Sequence, residues 1–482
     1  MIASLTERRY TIETKQKRGR NALGFFGLGA ALLVCCLFSA LIAFSYISFL
    51  LFLSYVIYHV VAKPKIVLKY LYFYFAVVSN VVGVAACEFT NVYLPEMYVV
   101  SHFAGSLPLI VFSRWLFLEL VEWFDGRFAA AEYKSSASNA WYDIKKYEEG
   151  KKYYILLLNG LNVFVLGLTA VLCAHLARHP SFMISVDRIE YSELYLSGIW
   201  GSISSVLSAL IVVSIIRLRI RVNAVSILAI LLYVLSLFLS GVKFGGYFSL
   251  LCAFTIIYYD KIAQMNSRRL KSSVFVIACA AVLLIASAAI TQTSYSQVNP
   301  IEYLAARTAQ QGELWWRTYD LFSVEPHLEQ LDIELSNLTT DESVSESVGA
   351  TYGIYGAMYR TVPSYYVDRY LAGGARYTEA GYAVALYCIG LFGPMLYSVV
   401  MAFGAALIQN GLFRSIVRGR LFSAVLIYRL YLALCTALGM FTFGQFFSII
   451  SLITYGFLAV ASLGESGFLR GSSRSIASMR GR

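Results

Sequence analysis

Residues 307–320 read RTAQQGELWWRTYD, and residues 355–381 read YGAMYRTVPSYYVDRYLAGGARYTEAG. Both stretches are polar, aromatic-rich and studded with arginine, and both lie in one segment, 292–380, enclosed by apolar runs. Those runs decide the fold class. Working outward, apolar windows recur along the whole chain, each long enough to cross about 30 Å of hydrocarbon as a helix. They fall near 22–42, 44–62, 67–87, 98–121, 153–176, 195–215, 223–240, 245–259, 273–291, 381–408, 421–439 and 442–463. The expected fold is an all-α polytopic integral membrane protein of about twelve transmembrane helices, or eleven if the first two fuse. The chain then divides into a basic tail (1–21), helices one to nine (22–291), one large loop (292–380), helices ten to twelve (381–463) and a second basic tail (464–482).

Composition excludes a soluble protein: charged residues are 14% and hydrophobic residues 59%, against about 25% charged in soluble domains. The net charge of +11 does not point to nucleic acid. Its basic residues sit in the short connectors: Lys63, Lys65 and Lys69; Arg127 to Lys152; Arg217, Arg219 and Arg221; Lys261 to Lys271; and Arg414, Arg418 and Arg420. Both termini fall on the same side. The large loop on the opposite side holds five arginines, no lysine and twelve acidic residues. By the positive-inside rule, the termini are cytoplasmic and the large loop is outside. Met1 to Arg20 is polar and basic with no small-residue cleavage site after it, so no cleavable signal is expected. No internal repeat is visible, against an inverted-repeat transporter. The eight cysteines fall in or beside apolar runs, with no CxxC and no His-rich cluster. Neither disulfides nor a metal centre are expected, and no cofactor is implied. The sequon Asn337-Leu338-Thr339 is read as chance.

Within the loop, Pro300 to Asp320 and Val348 to Tyr370 look amphipathic and helical, while Glu325 to Glu346 is acidic and reads as exposed. On a continuous helix from Pro300, Arg307, Gln311 and Trp315 share one face by their i, i+4 spacing. Arginine is a planar fork suited to phosphate oxygens, and glutamine and tryptophan suit a sugar; Arg317 lies beside them. The plainer alternative makes Trp315 and Trp316 interfacial anchors and pairs Arg307 with a loop acid. Arg360 precedes Pro363, and Arg369 and Arg376 follow among Tyr359, Tyr365, Tyr366, Tyr370 and Tyr377. Such a set suits a lipid-linked diphosphate; the alternative is a solvated loop with a tyrosine belt, and Arg369 beside Asp368 reads as structural. Lys243, in the glycine-rich outer turn Gly241 to Gly246, is a candidate for a second phosphate or simply snorkels to the interface. Glu379 is the best-placed general base, with Glu313 and Asp320 as alternatives. His327, among acids, reads as a solvated histidine; Glu88, Glu96 and His102 are weaker candidates to line the same cavity.

This order of features resembles the bacterial O-antigen polymerases, the Wzy-type enzymes of lipopolysaccharide assembly. The resemblance spans roughly residues 220–410. It rests on the Gly241-x-Lys243 turn, the late loop with Tyr359-Arg360-Thr361-Val362-Pro363, the re-entry Arg376-Tyr377-Thr378-Glu379-Ala380-Gly381-Tyr382, and Gly390-Leu391-Phe392-Gly393-Pro394. It implies a GT-C-like, metal-independent glycosyltransferase of the inner membrane with a periplasmic catalytic loop. The substrate would be an oligosaccharide on undecaprenyl diphosphate, and a Wzz-type chain-length regulator a possible partner beside the lipid bilayer. In that chemistry one hydroxyl attacks an anomeric carbon, undecaprenyl diphosphate leaves and one proton is accepted. Arg307, Arg360, Arg376 and Lys243 would hold diphosphates, with Arg317 beside them; Gln311, Trp315 and Tyr365 would hold sugars, and Glu379 would be the base.

The nearest alternative is an O-antigen ligase, a family similar in architecture that relies on a loop histidine near arginines; His327 shows no such neighbourhood in the sequence. A lipid-linked oligosaccharide transporter is the alternative of a different class. It would place cations inside the membrane, where Arg114, Glu119 and Arg429 are the charges to test.

Overall fold

The structure is a computed structural model that describes residues 26–90, 103–129, 152–184, 188–241, 245–266, 268–270, 300–322, 325–338, 352–372, 377–417, 420–441, 443–447 and 451–463, with isolated positions at 272, 275 and 276. Every regular element among the described residues is helical. The first is α1 (Phe26–Leu37), followed by α2 (Ile42–Ala62), α3 (Pro64–Lys69), α4 (Leu71–Thr90) and α5 (Leu107–Ala129). Next come α6 (Lys152–Leu176), α7 (Arg188–Tyr195), α8 (Gly198–Ile220), α9 (Ala224–Leu239), α10 (Gly245–Ile257) and α11 (Tyr259–Gln264). The large loop supplies α12 (Pro300–Ala309), α13 (Glu313–Phe322), α14 (Leu328–Ser336), α15 (Gly353–Thr361) and α16 (Ser364–Ala372). The chain then forms α17 (Ala380–Ile389), α18 (Gly393–Val417) and α19 (Leu421–Met440), and a last apolar helix, α20 (Ser451–Leu463).

By length and apolarity, six stretches of described helix are fit to cross a membrane, consistent with a multi-pass membrane protein. Helices α4, α5, α17, α18 and α19 form the centre, with α18 laid along α5. Helices α6, α8 and α9 make a second layer, joined to the centre where α8 meets α19 and α10. Local sequence fixes several boundaries. Pro64 opens α3, where its missing N–H costs nothing, and the Asn223 side chain caps α9 by accepting from Val225 N at 2.9 Å.

Helix α5 departs from the apolar pattern in an informative way. Its expected window, 98–121, sits too early: the helix begins at Leu107 and runs on to Ala129. The apolar window stops short of Glu122 and Asp125, yet Asp125 is buried and finds its partner within the bundle, while Glu122 pairs at its half-exposed edge. Lys63 Nζ lies 2.7 Å from Glu122 Oε2, and Lys69 Nζ lies 2.5 Å from Asp125 Oδ1. Charges inside a membrane bundle persist when they face one another rather than lipid.

The basic connectors do gather at one end. Lys69 sits 5.5 Å from the Tyr259 ring, Arg219 and Lys261 lie over Tyr258, and Arg414 donates to the Phe128 carbonyl. The loop helices α12 to α15 pack at the opposite end, against α4 and α17.

The expected helix 381–408 is two helices. Tyr382 meets Tyr397 edge-on at 5.0 Å, Ser398 donates to the Tyr382 hydroxyl at 3.0 Å, and a side chain on Gly393 would strike the Ala385 carbonyl. These pairs run antiparallel about Gly390, whose φ of +73° ends α17. Helix α17 is therefore a half-helix that starts inside the protein and climbs to a turn. Both arms are apolar, so a hydropathy window sees a single run.

Candidate functional site

Two tips of the large loop enter the bundle and meet. The first is the turn at residues 310–312 between α12 and α13. Gly83 and Gly312 let it press against α4: a Cβ on Gly83 would lie 2.6 Å from Gly312 N and 2.7 Å from the Thr308 carbonyl oxygen. Asn80 Nδ2 donates to the Gln311 carbonyl at 2.7 Å. Asn80 lies two turns, about 12 Å, before Glu88, the α4 carboxylate bonded to Ser106 and Leu107 where α5 begins. The tip thus reaches well below the helix ends. Irregular backbone at such depth is tolerated where protein covers it and satisfies its polar groups.

The second tip is residues 377–380, the start of α17. The Thr378 hydroxyl faces the Gln310 carbonyl at 3.2 Å and Gln311 Oε1 at 3.1 Å, tying this tip to the first. Glu379 then adopts φ +60°, a left-handed conformation disfavoured for a residue with a Cβ.

Both tips converge on Arg114, whose side chain is wholly buried. Its Nε donates to Asn80 Oδ1 at 2.9 Å, its Nη2 donates to Glu379 Oε2, and its guanidinium lies 3.8 Å from the Tyr382 ring centroid. Asn80 therefore relays Arg114 to the first tip, while Glu379 and Tyr382 join it to the second. Nη1 has no hydrogen-bond partner among the described residues. This arrangement fixes a cation inside the bundle with donor capacity left over.

A second cluster forms higher up, around Tyr387 on α17. The Arg360 guanidinium lies 4.3 Å from the Tyr387 ring centroid, and the His327 ring stacks on the same side chain at 4.4 Å. His327 N also donates to the Tyr387 carbonyl at 3.0 Å, and its Nδ1 lies 3.3 Å from Glu329 Oε1. Below Arg360, buried Glu334 accepts from Gly353 N at 2.8 Å and from Gln330 Nε2 at 3.1 Å. Burial pushes the Glu334 carboxyl above its usual range, opposed by those two bonds and the nearby Arg360 charge. The Tyr359 hydroxyl donates to Asp368 at 2.5 Å, and this bond, with some burial, pushes its pKa up to about 12.

The residues expected to form the site divide. Arg307 is exposed and donates to Gln310 Oε1 at 2.7 Å. Gln311 is half-buried at the first tip. Trp315 does not share their face, because α12 ends at Ala309 and the turn re-aims α13. Trp315 is fully buried, with Nε1 donating to the Ser106 carbonyl at 3.3 Å, and Trp316 is also buried. Neither stacks on a sugar or anchors at an interface in this conformation. Arg317 is buried and bound to Asp320 at 2.5 Å, with its Nε lacking a hydrogen-bond partner among the described residues. Tyr365 is 59% exposed beside Tyr366. Glu379 is buried, and its partner is Arg114. Lys243 and Arg376 lie outside the described residues, as does the Arg369 side chain. His327 is half-buried and shares Tyr387 with an arginine, contrary to the solvated histidine expected. The stretch expected to be exposed contains α14, with Gln330 and Glu334 buried.

In the sequence, Arg114 stands out only as a charge to test for the transporter alternative, and Asn80 does not stand out. The signal was there, a charge inside an apolar run, LPLIVFSRWLFLEL, from Leu107.

A family model described as a family of unknown function, DUF6418, matches residues 348–458. That stretch holds Arg360, Glu379, Tyr382 and Tyr387 but neither Arg114 nor the first tip. None of the curated proteins and none of the solved structures matches the chain.

Proposed function

We propose that this chain is a membrane-embedded glycosyltransferase of the O-antigen polymerase type, joining oligosaccharide units carried on undecaprenyl diphosphate. The observation that carries this reading is the convergence of both loop tips on Arg114, a buried cation with an unused donor nitrogen. A lipid-linked diphosphate carries the negative charge that a cation held in this way would bind. On the loop, Arg307 is exposed and Arg360 partly exposed, so both are open to an incoming anion. In the reaction, a hydroxyl of the incoming unit forms a bond to the anomeric carbon of the growing chain. The bond from that carbon to the diphosphate oxygen breaks, and undecaprenyl diphosphate leaves with the electron pair. The hydroxyl proton passes to a carboxylate, for which Glu379 is the candidate. Cations stabilise charge that grows on the leaving diphosphate.

In this reading the chain makes about twelve crossings, the basic ends face the cytoplasm, and the loop faces the periplasm of the inner membrane. A Wzz-type regulator of chain length is the partner to look for. The arrangement of His327 and Arg360 on Tyr387 favours a second reading, an O-antigen ligase, which transfers the finished chain to lipid A–core.

One experiment separates them: the lipopolysaccharide ladder of a deletion strain complemented with wild type, Arg360→Ala or Glu379→Gln at matched protein levels. Core bearing a single repeat, in the deletion and in Arg360→Ala, supports the polymerase. Bare core with accumulated lipid-linked polymer supports the ligase. An unchanged ladder rejects both and leaves a lipid-linked oligosaccharide transporter.

A further inference from the structure

We infer that the Arg114–Glu379 pair is the resting state of an anion site, in which the Glu379 carboxylate holds the place of a substrate phosphate and is freed as a base when that phosphate arrives. The inference rests on the transferase reading and adds to it the site and the order of events.

Three independent features meet there. Arg114 is completely buried, yet Nη1 has no hydrogen-bond partner among the described residues. A guanidinium presents its donors as a planar fork matched to phosphate, and leaving a buried donor unused is costly. The N-terminus of α17 lies at the same point, since Glu379 is its cap and Tyr382, in its first turn, stacks under Arg114. The first N–H groups of a helix have no intrahelical partner and favour an anion. Glu379 makes no side-chain bond to those groups although it stands at the cap. Its carboxylate is turned to Arg114 instead, from a left-handed backbone conformation.

A carboxylate so placed is the charge-equivalent of one phosphate oxygen pair. Incoming phosphate takes Arg114 and the first N–H groups of α17, so Glu379 loses its counter-ion and becomes able to accept the proton of the attacking hydroxyl. In the same step the new bond to the anomeric carbon forms and the bond to the diphosphate breaks. Without substrate the base is held by Arg114, which keeps it from activating water. Thr378, bonded to the first tip, couples this exchange to the 310–312 turn.

The test is binding to the full-length protein in lipid nanodiscs, with inorganic pyrophosphate as one probe and undecaprenyl diphosphate mixed into the disc lipid as the other. Glu379→Gln removes the competing charge and is expected to bind about ten-fold more tightly than wild type, the worth of one charge-assisted hydrogen bond. Arg114→Lys, which keeps the charge but loses the fork, is expected to abolish that gain in the Glu379→Gln background; a melting curve on the same sample confirms folding. A gain with pyrophosphate shows that the phosphate alone suffices. A gain confined to the lipid probe shows that the polyprenyl chain is needed, and either supports the site. Unchanged or weaker binding by Glu379→Gln overturns the inference. If the ladder of Arg360→Ala is still truncated in that case, the transferase reading survives it; if Arg360→Ala and Arg114→Lys both give full ladders, that reading falls too.

Discussion

Two buried ion pairs, one at each end of α5, are built to opposite plans. At the basic end, Asp125 Oδ1 accepts from Lys69 at 2.5 Å, from the Tyr70 hydroxyl at 2.6 Å and from Asn410 Nδ2 at 2.9 Å. Lys69 also donates to Asn410 Oδ1 at 2.9 Å. None of these side chains has a buried polar atom left over. At the loop end, Arg114 keeps Nη1 unused, and its carboxylate partner stands on the cap of a half-helix in a left-handed conformation. The closed cluster joins α3, α5 and α18 and has nothing to offer a ligand. The open pair is less well satisfied, which is how a site differs from a joint.

The largest effect should follow from breaking the joint. Asp125→Ala strands the Lys69 charge and leaves Tyr70 and Asn410 short of an acceptor. Removal of one partner of a buried pair costs about 3–5 kcal/mol, read as a large fall in melting temperature of the nanodisc-embedded protein. Glu379→Gln keeps a hydrogen-bonding side chain in place and Arg114 keeps Asn80 and Tyr382, so a smaller fall in melting temperature is expected than for Asp125→Ala, together with loss of ladder formation. Equal destabilisation by both would erase the distinction between joint and site.

A smaller effect is expected where the first tip meets α4. Gly83→Ala places a methyl 2.6 Å from Gly312 N and 2.7 Å from the Thr308 carbonyl, both backbone atoms that cannot swing aside. Overpacking of this kind costs about 1–3 kcal/mol, and the ladder should shorten as the tip lifts from Arg114. Gly160→Ala, on α6, meets nothing within 4 Å and should leave melting and ladder unchanged. An intact ladder in Gly83→Ala would remove the tip from the site.

How far the site was legible follows from the same residues. Apolar runs located the six stretches of described helix fit to cross a membrane, because lipid demands continuous apolarity whatever the tertiary structure. They failed at Gly390, where both arms of the α17–α18 hairpin are apolar, and at Glu122 and Asp125, whose partners come from the α2–α3 junction and from α3. The spacing of Arg307, Gln311 and Trp315 suggested one face, but Gly312 lets the chain turn between them. Glu379 stood out by its position at the re-entry. Its partner Arg114 is far away in sequence and is brought near only by the packing of α5 against α18. His327 and Arg360 likewise share Tyr387 through tertiary contact alone.

The smallest effect concerns Glu334, which tests whether the upper cluster is a joint or a site. Burial raises its carboxyl pKa above the ordinary glutamate value of 4.5, so the folded state binds a proton more readily than the unfolded chain. Its stabilisation is complete below 4.5 and is lost as pH rises through the raised folded value. The α14–α15 contact should therefore tighten on acidification from neutral pH toward 4.5, measured as slower amide exchange in residues 353–361. Glu334→Gln, still able to accept from Gly353 N, should flatten that dependence and leave the ladder intact. A truncated ladder in Glu334→Gln would instead mean that the charge beside Arg360 is used on substrate, and would move the upper cluster from support to chemistry.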